Sequence, residues 1–307
     1  MALLPRGNDA LNINPPVGVD IALSDHGSDW LWAVTAFYII SFVSSHYFSH
    51  KGSPFKSPSS AYINATPWQF GSLIPSFASH ESKRVFHYTL SMGLLVGAVS
   101  YFAHASDLGW SAIEQTDHIS RQIFYGRYIN WIISFPALIL SLGLLSGISW
   151  TTIIVNISIA WFWVLSYLAA AYTTTSYKWG FFAFGTFAYI ILAMSTLNES
   201  RGSAEVLGIG RDYMILSGWV NLLWLLYPVA FGLSDGGNII SVTSSFIFFG
   251  VLDVLLLPVV SIGFFVLSRK WDFVKLQLDF SEYRGDRQGQ SFSKKEGPAA
   301  VDINEAT

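Results

Sequence analysis

Two charged residues, Arg127 and Asp253, fall deep inside long apolar stretches of this sequence. A charge in the hydrocarbon core of a bilayer is expensive, so such residues usually face a partner or a functional cavity. Pairing the two across a helix bundle lowers the desolvation cost of both. The sequence therefore predicts a buried Arg127–Asp253 bridge, direct or through water. That bridge either ties two helices together or belongs to an ion pathway.

Polar and aromatic side chains follow Arg127 at helical spacing. Asn130, Trp131 and Ser134 stand three, four and seven residues further on, so one face of a helix presents all four residues. Two later apolar stretches carry further candidate residues. One contains aromatic residues around Pro228, and the other contains Leu257 directly before Pro258. The predicted pocket consists of Trp131, Ser134, Trp224, Tyr227, Pro228, Phe231 and Leu257. Such aromatic residues frame an apolar slot or simply pack as core, and spacing alone does not separate these readings.

Catalytic and metal-binding chemistry finds little support. The chain has no Cys, which excludes thiol nucleophiles, disulfides and thiolate metal sites. His46 and His50 share a helix face, but two ligands at a water-facing helix end are typical of interfacial polar residues. A net charge of -3 gives no electrostatic basis for binding nucleic acid. We therefore expect no catalytic residue, no metal and no nucleic-acid partner.

The elements that must position these residues are long apolar helices. Hydrophobic residues make up 52% of the 307 residues and charged residues only 12%, a balance typical of proteins in a lipid bilayer. A bilayer core needs roughly 20 mostly apolar residues per helix. Seven such windows occur, at residues 29–49, 82–104, 121–145, 150–172, 177–197, 212–232 and 242–268. The predicted fold class is an all-α, multi-pass membrane protein with a seven-helix bundle.

The segments outside the apolar windows indicate how the chain is divided and which side of the membrane each segment faces. Residues 1–28 form a polar leader without the features of a cleavable signal, 29–270 form the bundle with a long loop at 50–81, and 271–307 form a tail. With the N-terminus outside, the inner segments hold thirteen Lys or Arg and the outer segments three. This bias predicts an extracellular leader and a cytoplasmic tail. We expect the last helix to continue past Lys270 and the end of the tail to be disordered.

Several of these segments together resemble the microbial-type (type 1) rhodopsins, especially the fungal ones. Residues 121–131, with Pro136 and the segment 142–147, resemble the third helix of that family. Trp224, Tyr227 and Pro228 resemble its sixth-helix retinal pocket, and Leu252, Asp253 and Pro258 its seventh-helix site. The resemblance covers residues 29–270 and implies a bundle of the microbial rhodopsin type.

Three departures from the family pattern change what the resemblance implies. A lysine four residues after the seventh-helix aspartate binds retinal in the pigmented family, and this chain has Leu257 there. Imine formation requires a primary amine, so we expect no covalent retinal. Asn130 stands at the proton-acceptor position and Ser141 at the proton-donor position, and neither is a carboxylic acid. Light-driven proton pumping is therefore not expected, and Arg127 and Asp253 remain at counterion positions.

Fungi have a branch of opsin-related proteins with this pattern, which includes yeast plasma-membrane heat-shock and stress-induced members. The resemblance implies a plasma-membrane protein that acts through a protein partner at its cytoplasmic face, in stress response or in regulating membrane proton transport. The expected contact surfaces are the loop 50–81 and the tail 271–307. One alternative is a receptor or carrier for a non-covalent apolar small molecule in the former retinal pocket. A second is an ion pathway, and a homo-oligomer is left open.

Overall fold

A computed structural model describes residues 8–50, 84–272 and 276, with the backbone alone at 46–50 and at 84. Seven long helices form a bundle, and each overlaps one predicted span. They are α1 (Asp25–His50), α2 (Arg84–Ala105), α3 (Tyr125–Ser146), α4 (Trp150–Tyr172), α5 (Lys178–Met194), α6 (Gly210–Phe231) and α7 (Val242–Leu267). Helices α2 to α7 are long and apolar enough to cross a membrane, and α1 packs against α2 and α7.

Capping residues explain where several of the helices begin and end. The side chains of Ser149 and Ser241 accept hydrogen bonds from the first-turn amides of α4 and α7, as expected of N-cap residues. Gly147 ends α3 in the left-handed conformation, with φ of 70°, which glycine adopts without steric cost. Pro136 and Pro228 lie inside helices without ending them, as is tolerated in membrane bundles.

Two helices extend further than their apolar windows predict. Helix α5 continues through a π-helical turn, Ser195–Glu199, into the short helix Ser200–Val206. Helix α6 continues through a second π-helical turn, Gly232–Gly236. A π-helical turn has one more residue between hydrogen-bonded groups than an α-helical turn. The side chains around it therefore point in other directions than in a regular α-helix. The second one brings residues just beyond the predicted span into the protein interior.

The end of α7 corrects one prediction. A 3₁₀ turn, Ser268–Lys270, follows α7, and Trp271 has an extended backbone, so the helix does not continue past Lys270 as expected. The indole of Trp271 instead donates a hydrogen bond to Asp212, in the first turn of α6, at 2.8 Å. The loop 50–81, the side chains of His46 and His50, and nearly all of the tail lie outside the described residues.

A β-hairpin that the sequence analysis did not predict caps one end of the bundle. Strands β1 (Ser111–Glu114) and β2 (Ser120–Ile123) pair antiparallel, and Ile21 of the leader forms a bridge with Arg121. The third helix therefore begins at Tyr125 and not at 121, because residues 120–123 are committed to a strand. We call this end of the bundle the hairpin end.

Asp107 and Gln122 tie the leader to the hairpin end. The side-chain amide nitrogen of Gln122 donates a hydrogen bond to the Asp107 carboxylate at 2.6 Å. The side-chain amide oxygen of Gln122 accepts a hydrogen bond from the backbone N–H of Leu23 at 2.8 Å. Burial raises the pKa of Asp107 to about 6, although the hydrogen bond from Gln122 opposes that shift. The connection between α2 and β1 thus carries a carboxyl group that takes up a proton in mildly acidic conditions.

The bundle interior holds the aromatic and polar residues, while its outer surface is apolar. Trp131, Trp163 and Trp224 are fully buried, whereas Phe162 and Phe184 are more than half exposed. Large apolar side chains are free to point outward where the surroundings are lipid, so this pattern fits a membrane-spanning bundle. Any polar group inside it must find its partners within the protein.

Candidate functional site

Asp253 lies in the middle of α7 and is the acceptor for four side chains. The hydroxyls of Tyr227 and Tyr101 donate to its carboxylate at 2.5 and 2.6 Å. The indole N–H of Trp131 donates at 3.2 Å, and the amide of Asn130 approaches at 3.5 Å. Three neighbouring helices, α2, α3 and α6, therefore supply neutral donors to one buried carboxylate. No ion pair to Asp253 occurs among the described residues.

Arg127 pairs with a different carboxylate from the one predicted. Its Nη1 lies 3.0 Å from Asp235 Oδ2, and the hydroxyl of Tyr128 donates to the same oxygen at 2.9 Å. The direct Arg127–Asp253 bridge predicted from the sequence is wrong. The reason is depth: Arg127 lies in the first turn of α3, beside the π-helical turn that carries Asp235, whereas Asn130 and Trp131, one turn further along α3, reach Asp253.

Asp235 was missed because the sixth apolar window ends at 232. The π-helical turn Gly232–Gly236 continues α6 and carries Asp235 inward, where it is only 3% exposed. The one sequence signal was an acidic residue three residues after the end of a predicted span. The guanidinium of Arg127 also lies 4.4 Å from the ring centres of Phe246 and Phe249, which hold it against α7.

Every residue of the predicted pocket is buried in the bundle. This set is Trp131, Ser134, Trp224, Tyr227, Pro228, Phe231 and Leu257. Phe231 packs with Tyr167 and Phe182 nearer the hairpin end, with ring centres 4.5 and 5.7 Å away. The others lie in the buried interior of α3, α6 and α7.

Phe135, which the sequence analysis did not include, occupies the centre of this ring of side chains. Its ring centre lies 5.2 Å from that of Trp163 and 5.4 Å from those of Trp224 and Tyr227. It also stacks on Trp131 at 5.9 Å. Aromatic rings at these separations are in direct contact. The predicted slot is thus occupied by a phenylalanine side chain of the protein itself.

Leu257 is buried on the side of α7 that faces α2. It is 1% exposed and packs against Gly93 of α2, where an added Cβ would lie 2.9 Å from Leu257 Cδ2. Glycine at position 93 therefore gives the leucine side chain its space. A branched aliphatic group fills the position four residues after Asp253.

Asn130 and Ser141 are both buried on α3 and differ in what they contact. Asn130 faces Asp253, and its carbonyl oxygen has no donor among the described residues. Ser141 donates to the carbonyl of Ala137, one turn earlier in the same helix, at 2.8 Å. An amide and an internally satisfied hydroxyl do not take up and release protons near neutral pH.

Comparison with known proteins adds an independent line of evidence. The family model described as "Bacteriorhodopsin-like protein" matches residues 72–256. The opsin-like protein carO of Fusarium fujikuroi is 33% identical over 84% of this chain and 80% of its own. In Saccharomyces cerevisiae, Protein YRO2 is 29% identical over 95% of this chain and 82% of its own. The 30 kDa heat shock protein of that yeast is 27% identical over 80% and 74%.

Solved structures share the fold. The light-driven proton pump LR (Mac) of Leptosphaeria maculans superposes with a TM-score of 0.69 at 27% identity, over 84% of this chain and 99% of that one. The light-driven proton pump rhodopsin of Coccomyxa subellipsoidea gives a TM-score of 0.68 at 22% identity, over 80% and 98%. Both are similar to this chain in the path of the helices.

Proposed function

Because this chain belongs to the bacteriorhodopsin-like protein family, with the family's seven-helix bundle, we propose that it is a non-photoactive opsin-related membrane protein. It binds no retinal covalently, pumps no protons by light and acts through protein contacts. Its proposed setting is the plasma membrane, in stress response or in regulation of membrane proton transport. The observation that carries the proposal is the aliphatic side chain of Leu257 beside Gly93, where a pigment would need an amine.

The lysines of the described residues support this reading. Lys178 is the first residue of α5 and Lys270 the last of the 3₁₀ turn after α7, so both stand at helix ends. Neither is placed to reach the middle of the bundle, where Asp253 collects its donors. A Schiff base needs a primary amine at that depth.

The filled slot supports protein contacts over the alternative of an apolar ligand. Phe135 packs against four aromatic rings and Leu257 is buried, so admitting an apolar ligand between these residues would displace packed side chains. The ion pathway has little support as well, because Asn130 and Ser141 provide no exchangeable carboxylate. We therefore place the activity at surfaces outside the bundle core.

The relatives support the stress setting. One of the yeast relatives is named a heat shock protein. The match to YRO2 covers 95% of this chain and so extends beyond the bundle, into segments that carry the proposed contacts. The cytoplasmic side of the proposal follows from the excess of Lys and Arg in the loop 50–81 and the tail.

Removal of the tail tests the proposal. The cut belongs after Leu276 and not after Lys270, because Trp271 and Leu276 are buried against the bundle. Proteins recovered with the tagged full chain from native membranes should fall to background with the shortened chain, since the polar tail supplies their contacts. Quantitative mass spectrometry after affinity purification measures this.

A matched control replaces residues 277–307 with a Gly/Ser segment of equal length, which keeps the chain length but removes the tail sequence. It should behave like the shortened chain. Equal recovery of partners with all three chains would contradict a role for the tail. An unchanged helical circular dichroism spectrum shows that each bundle is folded.

A further inference from the structure

An apolar groove runs along the outer surface of the bundle between α3 and α4, near the hairpin end. Its volume is about 340 Å³, and its lining residues are Tyr125, Leu165, Leu168, Ala169 and Tyr172. Tyr125, Leu165 and Tyr172 are exposed, so the groove opens outward and not into the bundle core. Both helices are long and apolar enough to cross a membrane, and the opening therefore faces lipid. We call this feature the α3–α4 groove.

The α3–α4 groove begins at the membrane boundary and extends inward. Tyr125 is the first residue of α3 and Tyr172 the last of α4, which is the interfacial level at which tyrosine is enriched. Leu165 precedes Tyr172 by seven residues and so lies about 10 Å deeper. The Tyr172 hydroxyl donates to Ser111 of β1 at 3.2 Å, and its oxygen can still accept a hydrogen bond. The groove thus has a hydroxyl at its wet end and an apolar floor.

The charges at the hairpin end disfavour an occupant that carries a phosphate. Every Lys and Arg that the structure describes at this end is buried, namely Arg121, Arg127 and Lys178. The exposed carboxylates there are Asp9, Asp20, Asp25, Asp29, Glu114 and Asp117. A phosphodiester headgroup pairs best with cationic donors and would meet like charges instead. The complementary occupant is an uncharged lipid whose polar group is a hydroxyl.

An open groove must also select its occupant against every acyl chain of the bilayer. A fused sterol ring loses little conformational freedom on binding, whereas an acyl chain has many rotatable bonds to order. A rigid ring system therefore has the advantage in a shallow groove. Sterols also place their one hydroxyl at the membrane boundary and their rings below it, in the order that the groove presents.

The sequence around Tyr172 adds a second observation. A pattern proposed for cholesterol contact has Leu or Val, then Tyr, then Lys or Arg, with one to five residues between them. Leu168, Tyr172 and Lys178 fit this spacing. Such patterns are common, and Lys178 turns inward to Gln115. The pattern carries weight here because Leu168 and Tyr172 line the same groove.

We propose that the α3–α4 groove binds a sterol, with the sterol hydroxyl at Tyr172 and the flat ring face over Ala169. The groove volume falls within the range of roughly 300–1,000 Å³ that small-molecule sites have, and the rest of the sterol lies in the bilayer. The inference goes beyond the proposed function and does not depend on it, since it uses neither the slot nor the tail.

A photoreactive, alkyne-tagged sterol is the probe for the test. The full chain is reconstituted in phosphatidylcholine vesicles that contain the probe, irradiated and digested, and labelled peptides are identified by mass spectrometry. Label is expected on the segments of α3 and α4 that line the groove. Excess unlabelled cholesterol should remove it, whereas the same excess of dioleoylglycerol, a neutral hydroxyl lipid without rings, should not. Equal competition by both lipids, or no label in the groove, would overturn the proposal.

Two variants test the groove itself. Ala169→Trp fills the floor and should raise the probe concentration for half-maximal labelling by about tenfold. Its matched control is Ala183→Trp, which adds the same side chain at an exposed position of α5 outside the groove and should label like wild type.

Tyr172→Phe keeps the test informative where Ala169→Trp does not fold, because it removes a single oxygen. It should raise the half-maximal probe concentration by about two- to tenfold, the effect of one hydrogen bond. Tyr177→Phe is its matched control, since Tyr177 is exposed near the same end and does not line the groove. Circular dichroism shows which chains are folded. Wild-type labelling in either folded groove variant would contradict the sterol site.

Discussion

Leu257→Lys combined with Phe135→Ala is expected to yield a chain that turns coloured when retinal is added. Leu257→Lys alone is expected to stay colourless. The lysine supplies the missing amine four residues after Asp253, one helical turn away, where the carboxylate can balance a protonated Schiff base. Phe135 must be shortened because its ring contacts Trp131, Trp163, Trp224 and Tyr227 and occupies the slot.

The expected effect is a visible absorption band in the double variant and none in either single variant. Phe135→Ala alone leaves a cavity and should cost about 3–5 kcal/mol of stability, but it provides no amine. It is the matched control for non-covalent uptake. Absorption spectra, followed by borohydride reduction and mass spectrometry, locate the adduct. A pigment formed by Leu257→Lys alone would show that the slot is open and that its packing by Phe135 has been misjudged.

Arg127→Gln and Asp235→Asn are expected to show strong energetic coupling, whereas Arg127→Gln and Asp253→Asn are expected to show weaker coupling. Each change at the Arg127–Asp235 pair leaves its buried partner uncompensated, at a cost of about 3–5 kcal/mol. Asp253 takes its hydrogen bonds from hydroxyl, indole and amide donors of three helices and forms no ion pair with Arg127 in the described part of the chain, so its coupling to Arg127 should be the smaller of the two.

A double-mutant cycle of unfolding free energies tests this difference. Coupling between residues in contact commonly reaches about 0.5–3 kcal/mol, and distant pairs add within about 0.5 kcal/mol. Arg201→Gln with Glu205→Gln gives the matched control, because that exposed pair should contribute less than about 1 kcal/mol. Greater coupling of Arg127 to Asp253 than to Asp235 would contradict the observed pair and support the Arg127–Asp253 pair predicted from the sequence.

The helical framework was predictable because each span needs a long apolar window, and such windows leave a strong signal. The hairpin was not, since strands of four residues between two spans have no comparable signature. The sequence analysis placed Arg121 at the start of the third predicted span for the same reason, whereas the structure places it in β2. Only the fold of the leader and hairpin over it explains its complete burial.

The site was predicted in part, and its errors have two physical origins. Helical spacing correctly brought Trp131, Trp224 and Tyr227 to the bundle interior, since that requires only the helical repeat. Which acid meets Arg127 depends on depth and on the π-helical turn at Asp235, neither of which apolar windows reveal. Phe135 escaped notice because a phenylalanine within an apolar run looks like any core residue.

The central claim is that the chain binds no retinal covalently, and borohydride treatment of native protein tests it most directly. The full chain is purified from its own membranes without added retinal, scanned for visible absorbance, reduced and examined by peptide mass spectrometry. The account predicts no visible band and no retinyl adduct on any peptide of the bundle. A reducible retinyl group on a bundle residue, with absorbance in the visible range, would contradict it.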